Sequence, residues 1–174
     1  MLFIYLSKMI MRIVLLSTLL FIAVNANIFA QEISENHLKA LVGTWEGSLT
    51  YTDDDDRTVR SGSSMKAVWK KNKLLVTFYH ARNSGWVEKD KKSLALSLEK
   101  GQFNFDGDKW EVIEFINSEL GWKMVLERRG LYKNKNSTFR QIIDYDNENL
   151  IVENMVRYEG ADQYLKRNKY YLTR

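Results

Sequence analysis

Histidine, the side chain best suited to bind a metal or move protons near neutral pH, occurs only twice among the 174 residues, as His37 and His80. His80 continues an alternating apolar pattern over 74–78, so it could face an apolar interior and bind a haem iron or another metal there. The alternative is a rim histidine bonded to backbone or water. Two distant histidines do not make a zinc site, and the chain has no cysteine. We therefore predict no bound metal and no cofactor.

Carboxylates provide the other candidates for chemistry. The four aspartates at 53–56 and the triplet Asp106-Gly107-Asp108 offer the oxygen ligands that Ca²⁺ prefers, but neither has the spacing of a calcium loop, so both are predicted to be solvated turns. Glu114 shares the parity of Trp110 and Val112 on a predicted strand. Facing inward, it could act as a general acid with a raised pKa, or it could pair with an inward arginine. No Gly-x-Ser-x-Gly nucleophile motif accompanies it.

Positive charge is dispersed along the chain. The 26 Lys and Arg residues are interleaved with 22 Asp and Glu residues, which leaves a formal net charge of +4. A nucleic-acid site requires a concentrated basic face, so we predict no nucleic-acid partner.

The first thirty residues have the composition of a secretory signal peptide. Lys8 and Arg12 precede the apolar run 13–24, and Ala26 and Ala30 follow it. A membrane anchor would need about 20 apolar residues, so no membrane span is predicted after cleavage. Because this segment carries two bases and no acid, its removal lowers the formal net charge from +4 to +2. The sequence predicts a signal peptide at 1–30 and an exported domain at 31–174, either periplasmic or secreted.

Alternation of apolar and polar residues is the main structural signal in the rest of the chain. Over 41–52, Trp45 lies between Gly43 and Gly47 on the apolar parity, which indicates a half-buried strand with a close neighbour. Ser34 is placed to cap a short helix just upstream. Similar segments follow, separated by turn residues, whereas 86–92 and 130–136 are predicted to be loops. Nine or ten short strands with almost no helix predict an all-β antiparallel sandwich or closed barrel.

Three features resemble the lipocalins and their calycin relatives. Gly43-Thr44-Trp45 resembles the Gly-x-Trp of their first strand, and Asp144-Tyr145-Asp146-Asn147 resembles a degraded form of their Thr-Asp-Tyr turn. A basic residue of the last strand packs over the tryptophan in that family, and Arg167 and Arg174, which lie on opposite faces, are the candidates here. The ending is also similar to short exported lipocalin-like proteins of bacteria. The resemblance implies a single up-and-down β-barrel of eight to ten strands with a short N-terminal helix.

A barrel of this size encloses either a packed core or one small-ligand cavity. We predict non-catalytic binding of a small, largely apolar ligand. The predicted wall residues are Tyr51, Met65, Trp69, Phe78 and Trp110, and the predicted barrel-closing set is Gly43, Trp45 and Arg174. The first alternative is a filled barrel whose outer face or open end holds a partner protein of the cell envelope. The second is an enzyme built around Glu114 or His80.

Overall fold

The computed structural model describes residues 33–53, 55–82, 85–97, 102–105 and 107–174, with the side chains of 82–102 left undescribed. The predicted signal peptide at 1–30 and the predicted turn at Asn83 and Ser84 lie outside these ranges. Ile33–Arg174 forms one compact unit. In the described part of the chain, no helix has the length and apolar character needed to cross a membrane.

Ten antiparallel strands follow one another around a closed barrel, and β1 and β10 join to complete the ring. The elements are α1 (Glu35–Lys39), β1 (Gly43–Thr52), β2 (Thr58–Lys70), β3 (Lys73–Arg82), β4 (Gly85–Ser97), β5 (Gln102–Phe105), β6 (Asp108–Ser118), β7 (Gly121–Tyr132), β8 (Lys135–Tyr145), β9 (Asn149–Tyr158) and β10 (Leu165–Thr173). The predicted all-β, up-and-down architecture with one short N-terminal helix is confirmed.

The loop predicted at 130–136 is wrong, because β7 and β8 continue almost to the tip of their hairpin. Tyr132 pairs with Lys135, so only Lys133 and Asn134 leave the ladder. Both turn residues have positive φ, 49° and 62°, as two-residue hairpins require when their twist matches that of the flanking strands. The polar composition therefore predicted the position of the turn correctly, but the predicted loop of 130–136 is longer than the two-residue turn that the structure has.

The loop predicted at 86–92 is also wrong, because this segment belongs to β4. It pairs with β3 from Trp86, opposite Ala81, to Lys92, opposite Val76, with one irregularity between Phe78 and Tyr79. The charged composition suggested a solvent-exposed loop. Charged residues can still form a strand, because the backbone makes the pairing and the neighbouring strand β3 is available to pair with.

Helix α1 packs against the end of the barrel where β1 begins. Ser34 stands at its N-cap, and the backbone N–H of Ser34 donates to Nδ1 of His37 at 3.0 Å. Leu38 is fully buried in the core. The imidazole of His37 lies edge-on to Phe115, with ring centroids 5.0 Å apart, and burial lowers its pKa. The short predicted helix thus contributes core contacts to this end of the barrel, which we call the α1 end.

The turn between β8 and β9 depends on one carboxylate. Asp146 accepts hydrogen bonds from the backbone N–H of Asn149 at 2.7 Å and of Glu148 at 3.3 Å. The side-chain amide of Asn149 donates to it as well, at 3.0 Å. These hydrogen bonds, the backbone bond from Asn149 first, hold the pKa of Asp146 below its usual 3.8.

We therefore expect Asp146→Ala to destabilise the protein in a pH-dependent way. Because the folded-state pKa is depressed, the stabilisation is fully present above the unfolded value and is lost as pH falls through the folded value. Urea unfolding of the native protein and the variant at neutral pH, and at several values below 3.8, should show the difference shrinking with acidification. A difference that stays constant would contradict this role.

Candidate functional site

Trp45 forms the centre of an aromatic cluster at the α1 end. It is fully buried, and its indole Nε1 donates to the backbone carbonyl of Leu41 at 2.9 Å. The ring of Tyr145 meets it edge-on at 6.1 Å, and Trp122 lies beyond, 5.6 Å from Tyr145. This part of the interior is filled by large side chains.

The guanidinium carbon of Arg174 lies 4.5 Å from the centroid of the Trp45 ring. Arg174 is held there by Nη2, which donates to the Tyr145 hydroxyl at 2.8 Å, and by Nε, which donates to the carbonyl of Asn147 at 3.0 Å. Arg167 instead lies 4.9 Å from the ring of Tyr132. Of the two arginines left open by the sequence, Arg174 is the one that contacts Trp45.

A cavity of about 90 Å³ lies inside the barrel. Its lining residues are Leu41, Met65, Leu74, Val76, Phe78, Phe105, Gln141, Ile143, Leu150, Val152, Asn154, Asn168 and Tyr170. Nine of these are aliphatic or phenyl side chains, so the wall is mainly apolar, and its polar groups come from Tyr170 and three amides. Few, well-placed polar groups in an apolar wall are typical of small-molecule sites.

The three amides form one row across β8, β9 and β10. Gln141 pairs with Asn154, which pairs with Asn168 in the strand registers. Nε2 of Gln141 donates to Oδ1 of Asn154 at 2.9 Å, and Nδ2 of Asn154 donates to Oδ1 of Asn168 at 2.7 Å. Gln141 is only 5% exposed, and its Oε1 has no hydrogen-bond partner within the described structure. A buried, unpartnered acceptor is costly, so it marks a position where a ligand group could donate.

Sequence reasoning missed this row, although a signal for it exists. Gln141 shares the parity of Phe139, Ile143 and Tyr145, so it is a polar residue in an apolar series. The same holds for Asn154 on β9 and Asn168 on β10, since each shares the parity of buried apolar residues of its own strand. Only the register brings the amides together.

The five predicted wall residues fall into two groups in the structure. Met65 and Phe78 line the cavity, whereas Tyr51, Trp69 and Trp110 lie outside its lining. Trp69 is half-buried with the Nζ of Lys39 5.0 Å from its ring, and Tyr51 packs at the edge of the core. Trp110 is buried elsewhere, with the guanidinium of Arg128 5.1 Å from its ring.

His80 is buried inside the barrel rather than at an exposed rim. Its ring lies 5.8 Å from that of Tyr170, and its Nδ1 is 3.5 Å from the Ser63 hydroxyl. Within the described ranges, no group of three or more His, Cys, Asp or Glu side chains lies close enough to hold a metal ion.

Glu114, the candidate inward carboxylate, faces outward. The ladder between β6 and β7 shifts between Val112 and Glu114, which reverses the parity of the residues that follow. The Glu114 side chain is 46% exposed and lies 3.6 Å from the Nζ of Lys123. It therefore does not provide an acid to the cavity.

The aspartates of the first hairpin act as turn residues. Oδ1 of Asp53 accepts from the backbone N–H groups of Asp55 and Arg57, and the Arg57 guanidinium forms salt bridges with both aspartates, at 3.0 and 2.8 Å. These contacts are within the loop and exposed, as predicted for a solvated turn.

Comparison with known proteins supports the fold and goes no further. No family model matches the chain, and no curated protein matches it. The crystal structure of Rv2717c from M. tuberculosis is similar, with a TM-score of 0.57 and 13% sequence identity, over 80% of this chain and 95% of that one. At this identity the similarity concerns the fold alone.

Proposed function

We propose that the protein binds a small, largely apolar molecule inside the barrel without chemical conversion. The observation that carries the proposal is the apolar cavity, whose lining includes Gln141, a buried side chain with an unpartnered amide oxygen. We further propose that the chain is lipocalin-like and that it acts after export, in the periplasm or outside the cell. The Gly43-x-Trp45 motif with Arg174 supports the first point, and the signal-like composition of 1–30 supports the second.

The cavity volume limits the size of the ligand. An engineered apolar cavity of about 150 Å³ holds benzene, which has six non-hydrogen atoms, so about 90 Å³ accommodates roughly four. Small ligands gain at most about 1.5 kcal/mol per non-hydrogen atom. The dissociation constant of such a ligand is therefore no tighter than roughly some tens of micromolar.

The polar row supports a proposal for the chemical class of the ligand. A ligand hydroxyl that donates to Oε1 of Gln141 would satisfy the one amide oxygen that the row leaves unpaired. A neutral hydrogen bond stabilises by about 0.5–1.5 kcal/mol net, which corresponds to about 2- to 12-fold in affinity. We therefore propose a short-chain alcohol or a comparable compound with one hydroxyl at the end of an apolar body.

A pair of isomers tests this directly. 1-Butanol and diethyl ether have the same atoms, but only the alcohol can donate a hydrogen bond. We expect 1-butanol to shift the methyl NMR resonances of Met65, Ile143 and Val152 in a saturable way, and to bind several-fold more tightly than diethyl ether. In Gln141→Met this preference should disappear, because the acceptor is lost while the side-chain volume is kept.

The matched control is Gln163→Met, which makes the same exchange at an exposed position. It should leave both affinities unchanged. If neither isomer shifts the cavity methyl groups of the native protein, the binding proposal fails. A barrel that serves as a protein-interaction module would then be the better interpretation.

A further inference from the structure

A row of basic residues lies on the outer face of the barrel, away from the cavity lining. Arg129 on β7 pairs with Thr138 on β8, which pairs with Arg157 on β9. Neighbouring strands are about 4.8 Å apart, so the two arginines flank the threonine hydroxyl on either side. All three residues line a surface groove of about 460 Å³ and also an adjoining groove of about 470 Å³. We call them the Arg-Thr-Arg row.

The charge of the two arginines is not balanced by acids. Within the described structure, neither Arg129 nor Arg157 forms a salt bridge, whereas Arg128 beside them pairs with Asp108 at 3.2 Å. Like charges destabilise a sheet when they lie directly opposite each other, and here Thr138 separates the two arginines. An anion bound beside Thr138 would balance the charge of both arginines.

The carboxylates nearest the row do not neutralise it. Glu127 and Glu111 are cross-strand partners on β7 and β6, and Glu127 lies two residues before Arg129. Glu127 is already occupied, since Nε of Arg140 donates to its Oε1 at 2.7 Å. Glu111 and Lys109 of the same strand, which carry opposite charges, line the first groove as well. The uncompensated positive charge is thus concentrated at Arg129 and Arg157.

Arg157 is held in place by contacts that leave its donors available. Its guanidinium carbon lies 4.8 Å from the ring of Tyr164. That ring is itself fixed, because the Tyr164 hydroxyl donates to Oε1 of Glu127 at 2.7 Å and the Arg140 guanidinium lies 4.1 Å from it. Stacking on an aromatic face orients a guanidinium without using its N–H groups. A side chain ordered in advance loses less entropy when it binds a ligand.

We propose that the Arg-Thr-Arg row binds the phosphate group of a small soluble molecule. Guanidinium groups match the geometry of phosphate oxygens and bind them in pairs of parallel hydrogen bonds. The two arginines and the Thr138 hydroxyl between them supply donors from three adjacent strands, enough to bind several oxygens of one phosphate group. The groove is open and extends beyond the row, so the rest of the molecule lies along the outer surface. This site is independent of the interior cavity.

Phosphate titrations at low ionic strength test the proposal. Inorganic phosphate and glycerol phosphate should shift the amide NMR resonances of Thr138 and its neighbours in a saturable way, and chloride at matched ionic strength should not. Arg129→Gln/Arg157→Gln should weaken phosphate binding at least tenfold. The matched control is Arg60→Gln/Lys66→Gln, which removes the same charge from exposed positions of β2 and should change the affinity less than twofold.

Equal weakening in the two double variants, or the absence of a saturable shift, would overturn the site. Sedimentation with phosphatidylglycerol vesicles separates the possible sources of phosphate. Vesicle binding without binding of the soluble phosphates would assign the row to a lipid surface and refute the proposal as stated. Should the arginine double variant fail to fold, Thr138→Val provides the second test, with an expected loss of severalfold in phosphate affinity.

Discussion

Replacing Trp45 with alanine should lower the free energy of unfolding by about 3–5 kcal/mol, as is typical of a large aromatic side chain removed from a core. Trp45 is fully buried in the core of the barrel. Its loss removes the hydrogen bond to the Leu41 carbonyl and the edge contact with Tyr145. It also removes the ring on which the Arg174 guanidinium lies. Urea unfolding followed by far-ultraviolet circular dichroism measures the loss without relying on tryptophan fluorescence.

Trp69→Ala is the matched control for Trp45→Ala. Trp69 is only half-buried, and one of its contacts is the exposed side chain of Lys39. The same substitution there should cost clearly less, because less apolar area leaves water on folding. Equal decreases in the free energy of unfolding in the two variants would show that the aromatic cluster around Trp45 does not specifically stabilise the α1 end of the barrel.

Replacing Gly47 with alanine should open the contact between the first and last strands. A β-carbon at Gly47 would lie 2.0 Å from the backbone carbonyl oxygen of Tyr171, and a backbone atom in a paired strand cannot move aside as a side chain can. Overpacking usually costs about 1–3 kcal/mol, and we expect this variant to lie at or above that range. Amide hydrogen exchange should accelerate along β1 and β10, together with a lower urea midpoint.

Gly43→Ala separates this clash from backbone strain. Gly43 has a φ of +138°, which disfavours alanine, but no atom lies within 4 Å of the position its β-carbon would occupy. The variant should therefore be destabilised without selective exchange at the β1–β10 contact. If Gly47→Ala leaves protection in β1 and β10 unchanged, the close approach of these strands is refuted.

These glycines also show how far local sequence pattern reaches. The sequence suggested that two glycines beside Trp45 admit a close neighbour. Only Gly47 does so, and the neighbour is a strand whose matching residue, Leu172, is far away in the chain. Gly43 is present for its backbone angle instead. A single sequence shows where glycine occurs, but it does not show whether a close neighbour or a positive φ requires it.

The candidate sites also contain features that the local sequence predicts and features that only the tertiary structure determines. The inward parity of Met65 and Phe78 was predictable from alternation, because neighbouring side chains on a strand point to opposite faces. Glu114 faces outward because of one irregular position, which reverses the side-chain parity for the rest of the strand. Neither the Gln141–Asn154–Asn168 row nor the Arg-Thr-Arg row was predicted. Each requires the register of three strands to be known at once.

By itself, the sequence determined the properties that depend on near neighbours along the chain. Alternation and turn residues established the all-β architecture, the short helix after Ser34 and strand limits such as those of β2. The tertiary structure alone decided the closure of β1 on β10, the choice of Arg174 over Arg167 and the volume of the cavity. The reason is physical. Side-chain parity repeats every two residues, whereas register, closure and packing join residues as distant as Glu46 and Thr173, 127 positions apart.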